Sequence, residues 1–251
     1  GLDNVTIEPV AASDAVGTAT LREYGAARSS WSTLGTPNLE RKAGDPASAI
    51  PVESTSTVRT ERLDDLCEAH GIDRVDYLKI DAEGAEPAAV RGLARLLDRG
   101  RVSYVQVEIS ARPIAGMGET PGAVFDELIK RGYRVHTITP AGGLGDEVRD
   151  TDTWFGQYLA VAPQRARTAT PADRSTPIHF FTIVLNGRPF IERHVEQFRR
   201  IGGPWHWHVV EGVSDLVHDT AWSVARGGRV PHDLHRAGRS IDGTSEYLDR
   251  L

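Results

Sequence analysis

The densest concentration of chemistry in this 251-residue chain is Val75 to Glu86, VDYLKIDAEGAE. Asp81 and Glu83 follow an apolar run, Gly84 closes the acidic turn, and Pro87 opens a helix-forming segment. Ligands of a doubly wound α/β sheet bind beyond the carboxyl ends of its strands, so this turn sets two carboxylates where reactions take place. A carboxylate in that position can take a proton from a hydroxyl or hydrogen-bond a substrate. On a strand, Tyr77, Lys79 and Asp81 share one face and Leu78 and Ile80 the other. A lysine inside a buried parallel strand is costly unless paired. Asp81 can pair with it, as can Glu108 from the next strand, VSYVQVEI. The pair reads either as an ion pair that orders the sheet or as a functional placement. Glu83 reads either as an ordinary helix cap or as a carboxylate stationed in the favourable field of the helix dipole.

The elements that must position these residues follow from hydrophobic pattern and punctuation. Val5 to Ala12 is an apolar, β-rich run, and Thr18 to Tyr24 a second extended piece after Gly17. Gly25 to Pro51, rich in Ser, Gly, Pro and Ala and carrying Trp31, reads as a long loop with short ordered pieces. Val52 to Thr60 alternates as a strand would. Arg62 to His70 has helical spacing and stops at Gly71. After the strand Val75 to Asp81 comes a helix over Glu86 to Asp98, with proline in its first turn. Val102 to Ile109 is a strand, Ala123 to Arg131 a helix stopped by Gly132, and Tyr133 to Ile138 a strand. Ala141 to Glu147 (AGGLGDE) reads as a loop, and Phe155 to Ala162 as a further strand. Strands alternating with helices imply parallel βαβ units.

Composition narrows the function. An apolar share of 39% with 25% charged residues is that of a chain able to bury a core. A net charge of −6 argues against nonspecific nucleic-acid binding, which needs a basic field. The single cysteine, Cys67, excludes an internal disulfide framework. It sits in a helical pattern as a small core residue rather than a nucleophile. Neither a membrane-length apolar run nor an N-terminal signal stands out, and a cytoplasmic location is expected. The chain opens on Gly1, so a natural start further upstream is expected.

The string DYLKIDAEGAE, with VRG shortly after, resembles the signature of FkbM-family methyltransferases. The resemblance extends over Asn4 to Pro163. NVTIEPVAASDAVGTATL looks like the family's third strand with its Ser-Asp, SSWSTL like its serine-rich segment, TERLDDL like the helix before the central strand, and VSYVQVEIS like the strand ending in Glu. It implies a Rossmann-like sheet and S-adenosylmethionine-dependent methylation of a hydroxyl on a sugar or natural product, a small-molecule or glycan acceptor. By the same resemblance Asp81, Glu83 and Glu108 are the catalytic candidates. Ser13, Asp14 and Asp81 are candidates for cofactor binding, and Lys79, Gly84 and Trp31 for substrate binding. The family's opening strand with its Asp-x-Gly loop, and the next strand ending in an acid, have no counterpart ahead of Asn4. The sheet is therefore expected to be incomplete, and this chain to bind S-adenosylmethionine weakly or not at all.

Gln164 to Pro177 has the composition of a linker. Ile178 to Leu185 then gives the most apolar run, Asn186-Gly187 a turn, Phe190 to Ile201 a helical pattern, and Trp205 to Val210 a strand ending at Glu211. The stretch resembles the start of a GT-A-type glycosyltransferase-like domain. Glu211 and Asp242 would then meet a nucleotide sugar, and a completed domain would use a divalent metal. Three units are thus expected: a methyltransferase domain over 1–163, a linker over 164–177, and a truncated second α/β unit over 178–251. His206 and His208 share a strand face, and His218 with Asp219 could complete a ligand set on paper. An i, i+2 pair is a poor zinc signal, so aromatic strand packing is expected and no metal set is assigned. Two alternatives to methyl transfer stand: glycosyl transfer with the first domain auxiliary, and a non-catalytic remnant.

Overall fold

The computed structural model describes residues 5–24, 31–37, 49–139, 143–148, 153, 155–163, 178–184, 196 and 204–211. The fold is mixed α/β, built on two sheets. The larger is formed by β1 (Val5–Glu8), β5 (Val75–Ile80), β6 (Val102–Ser110), β7 (Arg134–Ile138), β8 (Leu144–Glu147), β9 (Phe155–Val161), β10 (Ile178–Val184) and β11 (Trp205–Glu211). Their order across the sheet is β1-β11-β10-β5-β6-β9-β7-β8. The first five of these strands run parallel, whereas β9 is antiparallel to both β6 and β7 and β8 is antiparallel to β7. The smaller sheet holds β2 (Ala11–Ser13), β4 (Ser54–Arg62) and β3 (Gly17–Glu23), in that order.

The alternation of the central strands separates two faces. Leu78, Ile80, Val105, Val107 and Ile109 are buried on the side covered by α1 (Leu63–Ala69), α2 (Glu86–Gly92) and α5 (Pro121–Ile129). Cys67 lies in this core, and burial raises its thiol to about 12, as a structural cysteine requires. The opposite face carries Tyr77, Lys79, Gln106 and Glu108, which the register sets side by side.

Gly71 and Gly132 end their helices at φ +66° and +84°, as expected of glycines past a helix terminus. The segment expected as one helix over 86–98 is instead α2 followed by α3 (Ala94–Asp98), broken at Leu93. The break is stabilised from outside: the buried Asp64 carboxylate accepts the backbone N–H groups of Arg95 at 2.8 Å and Leu96 at 3.1 Å, which the first turn of α3 leaves open. A further short helix, α4 (Ala111–Gly116), follows β6. The apolar run Val5 to Ala12 splits between the two sheets around Pro9. The segment Ala141 to Glu147, expected as a loop, contains β8, which pairs with β7 as a hairpin.

The two strands expected to open a second unit, β10 and β11, lie in the large sheet between β1 and β5. Their joint with β5 is packed. Phe180, Thr182, Trp207 and Val209 are buried, the Trp207 indole donates to Thr182 Oγ1 at 2.9 Å, and Phe180 meets Tyr77 with ring centroids 6.2 Å apart. The linker 164–177, the expected helix over 190–201 except Glu196, and residues 212–251 with Asp242, His218 and Asp219 lie outside the described residues.

On this joint His179, His206 and His208 stack, with His179 Nδ1 3.2 Å from His208 Nε2. His70, which bonds Glu8 at 2.6 Å, faces His208 from the end of α1, and Asp76 accepts the His179 backbone N–H at 3.3 Å. Burial and then His179, His206 and His70 hold the His208 imidazole down to about 3. A lowered imidazole stays neutral in the fold while the unfolded chain takes up protons, so stability is lost as pH falls from about 6.5 toward 3. Between pH 7 and 4.5 the loss traceable to His208 should be about 2 kcal/mol. His208→Phe should flatten that limb, which denaturant titrations at the two pH values will read.

Candidate active site

β5 ends at Ile80, and the chain turns through Asp81-Ala82-Glu83-Gly84 before entering α2. Two features shape the turn. Glu83 adopts φ +45°, the single non-glycine residue with positive φ among those described, and such strain clusters where a site over-determines the backbone. The Glu86 carboxylate, fully buried in the first turn of α2, accepts the N–H groups of Ala82 and Gly84, both at 2.9 Å. Burial pushes Glu86 up to about 7, opposed by those backbone bonds. Glu86 is a positioning residue that clamps the turn from within. Its signal in the sequence was an acid directly before the helix proline, and it was not picked out.

The turn is also held from above. Thr33 Oγ1 donates to the Glu83 carbonyl at 2.5 Å, while the Thr33 backbone exchanges bonds of 2.8 and 3.0 Å with Arg22 of β3. Thr36 N–H bonds the Gly116 carbonyl at 2.8 Å at the end of α4. The 31–37 segment is thereby pinned beside the acidic turn, and it carries Trp31, 41% exposed, two residues before Thr33. The nearby Gly84 has φ +107°, and a Cβ there would come 2.5 Å from the Pro113 carbonyl oxygen. Its role is close approach of backbone to backbone.

Three carboxylates converge on this turn. One oxygen each from Asp81, Glu83 and Glu108 lie within 4.8 Å of one another, a spacing at which they could also hold a divalent cation. Lys79 Nζ bonds Asp81 Oδ2 at 2.6 Å, so the lysine pairs with Asp81 rather than Glu108. On the far side, Gln157 of β9 donates to Glu108, and Gln106 Nε2 donates to Gln157 Oε1 at 3.0 Å. Tyr77 donates its hydroxyl to Gln106. This amide relay orients Glu108, and neither glutamine was picked out from the sequence because each becomes informative only when β9 is known to lie beside β6.

Crowding of like charge away from water shifts the acids. Burial, then Asp81, Glu86 and Glu108, raise Glu83 to about 9, with Lys79 opposing. Burial and Asp81 raise Glu108, with Lys79 and Gln157 opposing. Glu83 is therefore a neutral carboxylic acid near pH 7, able to donate a hydrogen bond, beside a carboxylate backed by an ammonium. An acid whose folded pKa is raised stabilises the fold fully below about pH 4.5, and that contribution is lost as pH climbs toward 9. Glu83→Gln, which mimics the neutral form, should raise stability at pH 8 by about 2 kcal/mol after discounting for residual solvent contact and shared charge. It should leave stability at pH 4.5 unchanged. Urea denaturation at the two pH values checks both.

Ser13 and Asp14 take up another position. The Asp14 carboxylate pairs with Arg91 of α2 at 2.8 Å, and Arg91 in turn pairs with Glu119 at 2.8 Å. Ser13 packs its carbonyl against Gly92, where a Cβ would come within 2.1 Å. Glu211 closes β11 opposite Val184.

A large, mostly parallel sheet with helices on one face and acids gathered beyond its central strands is consistent with a methyltransferase-like α/β fold. The family model of the methyltransferase FkbM domain matches residues 2–135, more than half of the chain, and the chain belongs to that family. No curated protein and no solved structure matches it. Among the described residues, no helix is long and apolar enough to cross a membrane.

Proposed function

We propose that the protein transfers a methyl group from S-adenosylmethionine to a hydroxyl oxygen of a sugar or natural-product acceptor. The observation that carries this reading is the convergence of Asp81 and Glu83, beyond the carboxyl end of β5, with Glu108 near the end of β6. The donor set suits the reaction: with Glu83 neutral, Asp81 and Glu108 set against the one ammonium of Lys79 favour a sulfonium cation, and the three acids present oxygens to hydroxyl groups. When bound, S-adenosylmethionine supplies an electrophilic methyl group. The chain's own residues then position and deprotonate the acceptor. Asp81, backed by Lys79, accepts the hydroxyl proton as the oxygen–carbon bond forms and the carbon–sulfur bond breaks. Glu83, neutral near pH 7, donates a hydrogen bond that fixes an acceptor oxygen, and Glu108, held by Gln157, orients a second hydroxyl. Positioning supplies most of the acceleration, as an in-line displacement requires. Trp31, exposed and two residues from the Thr33 that bonds the turn, would offer a flat apolar surface to a sugar ring.

The second reading, glycosyl transfer centred on residues 178–251 with Glu211 and Asp242 at a nucleotide sugar, is separated by parallel titrations. Heat on adding S-adenosylmethionine, and none on adding nucleotide sugars with magnesium, supports methyl transfer. The reverse pattern supports the second reading.

A further inference from the structure

On its Glu108 side the acid cluster leads onto an apolar shelf. Cross-strand partners share a face, and the register pairs Glu108 with Gln157 and Ser110 with Phe155. Phe155 therefore stands on the face of Lys79, Gln106 and Glu108, level with the last residue of β6. It is the diagonal neighbour of Glu108, a separation of about 7–8 Å that an aromatic side chain spans. Ile138, one residue past the Thr137–Tyr158 pair, falls level with Gln157, and Leu144 of β8 lies opposite Ile138. Phe155, 61% exposed, and Leu144, 57% exposed, thus flank Ile138 across three neighbouring strands.

The shelf is held from the core side. Thr153 and Tyr158 bond through their hydroxyl oxygens at 2.6 Å, and the Tyr158 ring meets Phe125 edge-on with centroids 4.9 Å apart. Gly156 admits that ring, since a Cβ there would come 2.9 Å from it. The chain on both sides of Phe155 is thereby fixed, and its ring is presented by a strand end that core packing holds. Isolated exposed apolar residues are common, but a contiguous set beside convergent acids marks a binding surface. Three side chains of at most about 200 Å² each fall short of the about 800 Å² per partner that a stable pair of proteins buries. A small molecule is the occupant that fits.

We infer that Phe155, with Ile138 and Leu144, binds the non-reacting body of the methyl acceptor, an apolar aglycone carried by the sugar whose hydroxyls meet the acids. This rests on the methyl-transfer reading and narrows its acceptor to glycosides of apolar aglycones. The order across the sheet matches such a molecule: Asp81 with Lys79, then Glu108 with Gln157, then the shelf. A sugar with one hydroxyl at Asp81 and another on Glu108 extends its far side toward Phe155. The three side chains of the shelf form no hydrogen bonds, so the polar amino-acid and nucleoside groups of the cofactor would be left unsatisfied there. An aryl or alkyl group would lose only its contact with water, which is favourable.

The test titrates phenyl and methyl β-glycosides of the common hexoses into the full chain by saturation-transfer NMR, with S-adenosylhomocysteine formation from S-adenosylmethionine followed in parallel. The expected result is a hexose whose phenyl glycoside binds about tenfold more tightly than its methyl glycoside, the about 1.4 kcal/mol of one aromatic contact. Phe155→Ala should cut that preference below about threefold at unchanged Tm. Ile129→Ala, an exposed apolar change on α5 across the sheet, should keep it. Phenyl and methyl glycosides bound alike, or not at all, by the unaltered chain overturn the assignment, and that measurement decides even if F155A fails to fold. A preference that F155A retains, or that I129A loses equally, also overturns it. In each of these cases continued S-adenosylhomocysteine formation with a hydroxyl acceptor leaves methyl transfer standing. A dimer of the unaltered chain that F155A converts to monomer gives the shelf to a second copy and overturns the assignment as well. If the phenyl preference is present but no hydroxyl acceptor yields S-adenosylhomocysteine, the methyl-transfer reading falls and this assignment with it.

Discussion

Asp81→Asn will lower kcat for methyl transfer by about 10²–10⁴-fold, the range a positioned proton acceptor contributes. Asparagine keeps the shape of the side chain and its ability to hydrogen-bond an acceptor, but it cannot take the hydroxyl proton. The change also removes the partner of Lys79, whose side chain is only 15% exposed and whose Nζ lies 2.6 Å from Asp81 Oδ2. An unpaired, part-buried ammonium is unfavourable, so a fall in stability of about 1–2 kcal/mol should accompany the fall in rate. The two effects separate in single-turnover measurements with saturating acceptor, made well below the melting temperature. A kcat within threefold of the unaltered chain's would remove Asp81 from the role of proton acceptor.

Gly84→Ala carries the largest expected loss of stability, about 3 kcal/mol, or about 6–12 °C in Tm for a chain of this size. Two costs add. The backbone at φ +107° lies in a region that side-chain-bearing residues rarely adopt, and the new methyl would stand 2.5 Å from the Pro113 carbonyl oxygen. That atom belongs to the backbone of α4 and cannot swing aside as a flexible side chain would. Relief requires moving the turn, and with it Glu83 and the N–H groups that Glu86 holds. Gly71→Ala separates the costs, because Gly71 has φ +66° but nothing within 4 Å of the added methyl. It should lose only about 1 kcal/mol. Thermal melts that show equal losses at the two positions would contradict the close-approach role of Gly84.

Local features were legible where the cause is local. VDYLKI reads as a strand because its apolar residues face the helices, and its end in an acidic glycine turn marks the site directly. Gly71 and Gly132 stop helices by a conformational preference that needs no distant partner. The convergence of Asp81, Glu83 and Glu108 was readable because Asp81 directly follows one strand and Glu108 stands level with it near the end of the neighbouring one. Features that depend on remote pairing were not. Asp64 breaks the helix over 86–98 from thirty residues upstream, and Leu144–Glu147 becomes a strand because β7 offers it an edge. Gln157, Thr33 and Glu86 act through bonds to Glu108, to the Glu83 carbonyl and to the turn's amides. The place of β10 and β11 was the least legible of all. A linker-like composition over 164–177 suggests a boundary, whereas sheet order is decided by which edges are left unpaired after the rest has folded.

Transfer of a labelled methyl group tests the central claim most directly. The full chain, labelled S-adenosylmethionine and a panel of sugars and polyhydroxylated natural products should yield a labelled methyl ether on one acceptor class, with one S-adenosylhomocysteine formed per ether. Absence of S-adenosylhomocysteine above background with every hydroxyl acceptor, from a folded chain, would contradict the account.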